Sequence, residues 1–281
     1  MTKKNRSTRN INQSQGANKI MSKDGTMIAF EKSGTGPAII LVVGAFNDRA
    51  TGAPLARSLE RHFTVYNYDR RGRGESGDTA PYAIEREIED LDALIAQASG
   101  SACIFGYSSG AILSLRAAAH GLAISQLALY DPPPTGAKAG QLAPQLTELI
   151  AAGRRGDAVE LFQTEAVGIP AAIVAQMRNT PFRPALEKMA QTLVYESTIL
   201  RSLPPGLIAS VRVPTLVIDG EESPEVMRQA AQSLADALPE GRYRTLKGQG
   251  HDIVPAVVAP VLEEFFLAQS SLNKSGKLAS Q

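Results

Sequence analysis

Two kinds of hydrophobic pattern alternate along the chain. Short runs of β-branched and aliphatic residues are typical of buried strands, and longer segments carry apolar residues at the spacing of a helix that lies on a sheet. This alternation predicts parallel βαβ units, and therefore an α/β fold with a mostly parallel sheet flanked by helices. The predicted strands are TMIAFEKS, AIILVVG, FTVYNYD, ACIFGY, QLALYD, PTLVIDG and RYRTLKG. The predicted flanking helices are APLARSLERH, IEREIEDLDALIAQA, SPEVMRQAAQSLADALP and PAVVAPVLEEFFLAQS.

One long segment interrupts the alternation. Residues 135–210 contain no strand signal but several helical patterns, such as LAPQLTELIAAGRRG and ALEKMAQTLVY. The segment follows one predicted strand and precedes the next, so it should lie over the carboxyl ends of the strands, where ligands bind in open α/β sheets. We therefore predict a helical cap at 135–210, inserted in a core formed by residues 24–134 and 211–269.

The two ends of the chain differ in composition from this core. Residues 1–23 carry basic residues and no acidic residue, without the apolar centre of a signal peptide, and residues 270–281 are mostly small and polar. We expect both to be disordered tails. Because all 28 acidic residues lie between them, the core is net negative and lacks the basic face that a nucleic-acid partner needs.

Hydropathy and cysteine content suggest the environment of the protein. No apolar run approaches the roughly 20 residues that span a bilayer, so we expect no membrane association. Cys103, the single cysteine, lies in the apolar run ACIFG and has no partner for an intramolecular disulfide. These observations predict a soluble cytoplasmic protein with a buried thiol, and they leave its oligomeric state open.

A serine stands where a predicted strand turns sharply into a helix. Gly106-Tyr107-Ser108-Ser109-Gly110 fits the pattern G-x-S-x-G, in which the serine is exposed on a strained turn and small flanking residues let strand and helix approach. A chance match is the alternative in a glycine-rich chain, but the strand before and the helix after argue against it. Ser108 is the candidate nucleophile, and the backbone N–H of Ser109 is a candidate donor to an oxyanion.

A serine nucleophile needs a base, and the chain has three histidines. His62 ends an amphipathic segment, and His120 lies in the last turn of the helix after Ser108, where a cation suits the helix dipole. His251 differs, because KGQGHDIVP places it on a glycine-flanked loop after the last predicted strand. Its position after Ser108 in the chain also follows the order of this chemistry, so His251 is the candidate base.

Several motifs in a fixed order resemble the α/β-hydrolase superfamily, and in particular bacterial serine esterase-like hydrolases. They are VVGAFNDR, YDRRGRGESG, GYSSG, LYDPPP, PTLVIDGEESP and GQGHD. The resemblance implies the α/β-hydrolase fold with a cap insertion. It also implies that Gly44-Ala45 forms the oxyanion loop, although Val43 replaces the family's histidine, and that the N–H of Ala45 completes an oxyanion hole with Ser109. The arginines of the turn at 69–77 would be structural.

The acid that should orient the histidine departs from the family pattern. Ser223 stands where the family's aspartate is commonest, and a serine cannot hold an imidazolium by charge. Asp131, at the end of a predicted strand, and Glu222, beside the vacant position, are the two candidates. We rank Asp131 first, because some members of the superfamily carry the acid after this earlier strand.

Together the residues predict a cofactor-free serine hydrolase that cleaves a carboxylic ester, or else a lactone, thioester or amide. Three scattered histidines and one cysteine make no metal site. A cap segment rich in Ala, Leu and Val predicts a small-molecule ester substrate with an apolar portion. A perhydrolase or cofactor-free haloperoxidase remains an alternative activity. A non-catalytic ligand-binding protein on the same fold is an alternative of a different class.

Overall fold

The structure, a computed structural model, describes residues 17–278, and the side chains as far as residue 268. Its eight strands form one sheet in the order β1-β2-β4-β3-β5-β6-β7-β8. β2 pairs antiparallel with β1 and with β4, and all other neighbours are parallel. The strands are β1 (Asn18–Met21), β2 (Met27–Ser33), β3 (Ala38–Val42), β4 (Thr64–Tyr68), β5 (Ala102–Tyr107), β6 (Ile124–Tyr130), β7 (Thr215–Gly220) and β8 (Gly241–Leu246). The seven predicted strands are therefore confirmed, and β1 is an addition.

Helices cover both faces of the sheet, as its parallel strands require. The helices on the sheet are α1 (Arg49–Leu59), α2 (Ile84–Gln97), α3 (Ser109–Ala119), α10 (Glu225–Ala237) and α11 (Pro255–Leu278). Because successive side chains of a strand point to opposite faces, Ile104 packs with α2, α3 and α10 in one hydrophobic cluster, and Phe105 packs with α1 and α11 in another. The turn that carries Ser108 lies at the carboxyl end of β5, a central strand of the sheet.

A helical insertion separates β6 from β7. Its helices are α4 (Ala143–Ala151), α5 (Arg155–Glu165), α6 (Ala171–Met177), α7 (Arg183–Lys188), α8 (Thr192–Ile199) and α9 (Leu207–Ser210). They enclose a small hydrophobic cluster of their own, which includes Leu146, Phe162 and Leu193. Ala45 and Phe46, from the loop after β3, pack against this cluster, and the rings of Phe46 and Phe162 meet edge to face at 5.6 Å. The insertion therefore touches the loop predicted to form the oxyanion hole.

Both predicted tails need correction. Residues 18–21 form β1 instead of a disordered segment, and pair with β2 in the register Asn18↔Phe30 to Met21↔Met27. β1 is short and mostly exposed at the sheet edge, so backbone pairing forms it without the apolar alternation that would reveal it in the sequence. At the other end, α11 continues to Leu278, beyond the expected boundary at 269. Residues 1–16 and 279–281 of the predicted tails lie outside the described residues.

The helices can be compared with membrane-spanning segments by their length and hydropathy. Within residues 17–278, none of the helices combines the length and the apolar character that a bilayer crossing demands.

Candidate active site

Ser108 occupies the turn between β5 and α3. Its backbone has φ 55° and ψ −127°, a strained conformation for a residue with a side chain. Both flanking glycines are required by close contacts. A Cβ on Gly106 would lie 2.7 Å from the Cα of Ala111, and a Cβ on Gly110 would lie 2.2 Å from the carbonyl oxygen of Val42. The two glycines therefore allow the close approach of strand and helix, and Ser108 between them adopts the strained backbone conformation. Its half-buried side chain faces a cavity.

Asp131 and His251 are joined by a hydrogen bond. Asp131 follows β6 directly, is 0% exposed, and has its Oδ2 atom 2.9 Å from Nδ1 of His251. The hydroxyl of Ser223 donates to the same Oδ2 at 2.6 Å, and the N–H of Gly220 donates to Oδ1 at 3.4 Å. A carboxylate that only accepts fixes the proton of His251 on Nδ1, so Nε2 is left to accept a proton.

Glu222, the second candidate, and two further acidic residues near this edge of the sheet are placed differently. Glu222 is exposed, and its backbone N–H bonds to the carbonyl of Gln249. Asp219 is buried but accepts from the hydroxyl of Tyr243 at 2.6 Å, and Asp252 is exposed. The structure therefore brings Asp131 to His251. Ser223, which sequence reasoning treated only as a vacancy, is a hydrogen-bond partner of the acid.

Aromatic residues hold the loop that carries His251. The hydroxyl of Tyr130, the last residue of β6, donates to the carbonyl of Gly250 at 2.6 Å. The ring of Tyr107 lies 5.0 Å from the imidazole of His251. Burial raises the pKa of both tyrosines, so both phenols are protonated at neutral pH. The sequence offered no sign of either role, because each tyrosine fits the apolar pattern at the end of a buried strand.

The remaining histidines are separate from this site. His62 and His120 are both exposed, the first after α1 and the second at the end of α3. Among the residues that the structure describes, no three His, Cys, Asp or Glu side chains are placed to hold a metal ion.

Ser108 and His251 line one cavity of about 240 Å³. Apart from these two residues and Ser109, its wall is entirely apolar, and much of it comes from the helical insertion. The apolar lining residues are Ala45, Pro133, Phe162, Ala166, Val167, Leu200, Pro224 and Met227. A wall of this kind favours an uncharged ligand with an aliphatic part, because an ionised group would lose its hydration without gaining a partner.

The loop after β3 approaches the serine turn closely. A Cβ on Gly44 would lie 2.9 Å from the Cβ of Ser108 and 3.0 Å from the carbonyl oxygen of Tyr107, so glycine is required there. The next residue, Ala45, donates its backbone N–H to Oγ of Ser109 at 3.0 Å. The predicted oxyanion loop therefore lies against the start of α3, and the N–H of Ala45 is hydrogen-bonded in this state.

A mostly parallel sheet with a serine on the tight turn between a central strand and a helix defines the α/β-hydrolase class. Residues 39–262 match the alpha/beta hydrolase family, and the chain belongs to that family. It is similar to an alpha/beta hydrolase from Sphaerobacter thermophilus, at 52% identity and a TM-score of 0.81 over 89% of this chain and 100% of that chain.

Two further similarities extend this comparison. N-formylmaleamate deformylase of Pseudomonas putida is 26% identical over 230 residues, which make up 78% of this chain and 84% of the relative. The structure of the esterase RhEst1 from a Rhodococcus species covers 93% of this chain and 99% of its own at 18% identity and a TM-score of 0.63. The second similarity concerns the fold alone.

Proposed function

We propose that the protein is a serine hydrolase that cleaves a small, uncharged carboxylic ester through an acyl-enzyme. One observation carries the proposal. The buried carboxylate of Asp131 is hydrogen-bonded to Nδ1 of His251, whose ring lines the same cavity as Ser108 on its strained turn. A nucleophile, a base and an orienting acid are thus available around one apolar cavity.

The residues would share the chemistry as follows. Oγ of Ser108 attacks the ester carbonyl carbon while Nε2 of His251 takes its proton, and Asp131 stabilises the imidazolium. When the tetrahedral intermediate collapses, His251 returns the proton to the departing alcohol and an acyl-serine remains. Water, activated by His251, then attacks the acyl-serine and releases the carboxylic acid. The hydrogen bond from Ser108 to His251 forms in the substrate complex, where catalytic contacts commonly tighten.

The backbone N–H groups of Ala45 and Ser109 would bind the oxyanion. Ala45 donates to Oγ of Ser109 in the resting protein, so the substrate oxygen must displace that hydroxyl. The exchange replaces one hydrogen bond by a stronger one as negative charge develops on the oxygen. The donor is therefore never left unsatisfied in the apolar cavity.

The lining of the cavity supports a neutral substrate with a short aliphatic acyl group. A cavity of about 240 Å³ suits a small substrate, and His251 is the one titratable side chain on its wall. A substrate with its own carboxylate would have no arginine or lysine to meet there. A lactone, thioester or amide with the same neutral character is the alternative within this chemistry.

A labelling experiment tests the proposal. The full chain is incubated with a fluorophosphonate probe, and the labelled peptide is identified by mass spectrometry, with Ser108→Ala as the control. Labelling at Ser108 together with hydrolysis of p-nitrophenyl butyrate supports the proposal, and a p-nitrophenyl ester of succinate serves as the charged comparison. If the folded protein takes no label and cleaves no ester, the ligand-binding alternative replaces the enzyme.

A further inference from the structure

The oxyanion loop is held through its carbonyl groups by buried arginines. Nη1 of Arg73 lies 2.5 Å from the carbonyl oxygen of Gly44 and 2.9 Å from that of Asn47. Nη1 of Arg70 lies 3.1 Å from the carbonyl oxygen of Val43. Both arginine side chains are almost fully buried. These contacts involve the loop itself, so the two arginines are not merely part of the turn that follows β4.

We propose that Arg73 is a positioning residue for the oxyanion hole, and that Glu196 of the helical insertion fixes Arg73 in that role. This inference rests on the proposed function, because it concerns how the N–H of Ala45 is presented to substrate.

The geometry of one peptide bond links Arg73 to the oxyanion. The carbonyl of Gly44 and the N–H of Ala45 belong to the same planar peptide group, in which the two bonds point in opposite directions. A cation bound to the carbonyl oxygen therefore sets the direction of the N–H. It also draws electron density towards the oxygen and makes the N–H a stronger donor, because linked hydrogen bonds polarise one another. The buried positive charge of Arg73 thus both orients and strengthens the N–H of Ala45, the proposed donor to the oxyanion.

Counter-charges from two separate parts of the fold hold the arginines. Arg70 forms a two-point ion pair with Glu87 of α2, at 2.7 and 2.8 Å, and donates to Glu196 of α8 at 2.8 Å. Arg73 donates to the same Oε1 atom of Glu196 with its other terminal nitrogen. Glu196 is 0% exposed, so its charge acts with little screening by water. The insertion therefore supplies the anion that holds the oxyanion loop's cation in place.

The ion pair between Arg73 and Glu196 leaves buried polar atoms unpaired, which reduces its contribution to folding stability. Nε of Arg73 and Oε2 of Glu196 are buried without a hydrogen-bond partner among the described residues. Each unpaired buried polar atom costs free energy, and an apolar pair of similar size avoids that cost. Charge at these positions is better explained by what Arg73 does to the Gly44–Ala45 peptide than by its contribution to folding.

A neighbouring arginine provides a matched control. The side chain of Arg71 is also fully buried and also pairs with two carboxylates, Asp90 and Asp24. Its remaining hydrogen bond goes to the backbone carbonyl of Arg86, at the start of α2. Arg71→Lys therefore disturbs a buried arginine of the same turn without touching the oxyanion loop.

The experiment compares Arg73→Met, Arg73→Lys and Arg71→Lys with the wild-type chain. For each, kcat and KM are measured for p-nitrophenyl butyrate, and an inhibition constant is measured for an alkyl trifluoromethyl ketone. The ketone forms a serine adduct whose oxyanion occupies the hole, so its affinity reports on the hole. KM with a weakly held ester reports mainly on the apolar cavity.

We expect Arg73→Met to lower kcat by about 10-fold to 100-fold. This loss does not exceed the loss of kcat that is typical when a hydrogen-bond donor of an oxyanion hole is removed completely. The inhibition constant of the ketone should rise by a similar factor, while KM changes by less than about threefold. For Arg73→Lys, both kcat and the inhibition constant should lie between those of wild type and Arg73→Met. An ammonium group keeps the charge but cannot reproduce the two-pronged hydrogen bonding of the guanidinium. Arg71→Lys should leave both kcat and ketone affinity within about threefold of wild type.

The outcomes are separable. Normal kcat and normal ketone affinity in folded Arg73→Met overturn the positioning role, and so does an equal loss in Arg71→Lys. If Arg73→Met does not fold, Arg73→Lys decides by the same two measurements. An inactive, unlabelled wild-type chain would instead refute the proposed hydrolase function itself.

Discussion

Oδ2 of Asp131 lies 2.9 Å from Nδ1 of His251, across 120 residues of sequence, and accepts a second hydrogen bond from Ser223. The imidazole is therefore held by a buried carboxylate that directly follows β6, and the hydroxyl of Ser223 helps to orient this carboxylate.

Replacing Asp131 by asparagine should lower kcat by about 10² to 10⁴-fold, because the amide presents a donor or a weaker acceptor to Nδ1 and cannot stabilise the imidazolium. Glu222→Gln is the matched control and should cost less than about tenfold. Ester hydrolysis is measured on variants whose circular dichroism matches wild type. A greater loss in Glu222→Gln would assign the acid to Glu222, and two near-normal variants would leave a Ser-His pair.

The two adjacent serines should respond differently to alanine. Ser108→Ala removes the nucleophile and should abolish both ester hydrolysis and fluorophosphonate labelling. Ser109→Ala keeps the backbone N–H and removes only the hydroxyl that accepts from Ala45, so activity should stay within about tenfold of wild type. Activity in Ser108→Ala together with loss of activity in Ser109→Ala would mean that the nucleophile has been assigned to the wrong serine.

A cation on the rim of the cavity should change substrate preference. Val167 lines the cavity and is 55% exposed, so Val167→Arg should cost little stability. The variant should improve kcat/KM for a succinate ester relative to a butyrate ester by about twofold to fivefold, the range of a partly solvated ion pair. Ile173→Arg, on α6 and 46% exposed but away from the cavity wall, is the control. An equal shift in both variants would attribute the effect to net charge alone.

Glu196 should matter for stability as well as for the site. Glu196→Gln leaves Arg70 and Arg73 facing one buried carboxylate, and loss of one member of a buried ion network costs about 3 to 5 kcal/mol. Glu187→Gln removes an acid whose side chain is 39% exposed from an i,i+4 pair with Arg183, and should cost less than about 1 kcal/mol. Urea unfolding followed by circular dichroism gives both free energies. A loss below about 1 kcal/mol in Glu196→Gln would contradict the buried network.

Cys103 should make folding stability depend on alkaline pH. Burial raises the pKa of the Cys103 thiol from 9.0 to about 11. Well below pH 9 the thiol is neutral in both states, but as the pH rises through 9 towards 11 the unfolded chain loses the proton more readily, so the free energy of unfolding falls. The contribution lost is about 2 kcal/mol. Urea unfolding of wild type and Cys103→Ala at pH 8 and pH 10.5 measures it. An unchanged difference between the two proteins would contradict the buried thiol.

Local sequence patterns predicted the features that depend on neighbouring residues. The turn at Ser108 was predictable because strand, glycines and helix are contiguous, and the seven apolar runs predicted their strands. The sequence ranked Asp131 above Glu222 through the family resemblance alone, since both follow strands that end at the same edge and only the tertiary packing decides which side chain faces His251.

Features that depend on contacts between residues far apart in the sequence could not be predicted from it. β1 is stabilised by its partner strand and not by its own pattern. The arginines of the turn after β4 could be expected to be structural, but Arg73 and Glu196 are 123 residues apart, and no pattern in the sequence connects an insertion helix to the oxyanion loop. The extension of α11 was missed because its last residues are small and polar.

The place of the insertion between β6 and β7 has a consequence for how such a protein can change over evolution. β6 and β7 are parallel neighbours that pair from Leu127↔Thr215 to Tyr130↔Ile218, so the insertion is a closed loop whose two ends are fixed by the sheet. The entropy of closing a loop grows only with the logarithm of its length, and a doubling costs roughly 0.6 kcal/mol. The length of the segment between β6 and β7 can therefore change at little cost in free energy, and the cavity wall with it, while Asp131 keeps its place at the end of β6. If Glu196 fixes Arg73 as proposed, a carboxylate at this position constrains such changes, since its loss would leave Arg73 without a hydrogen-bonded counter-charge.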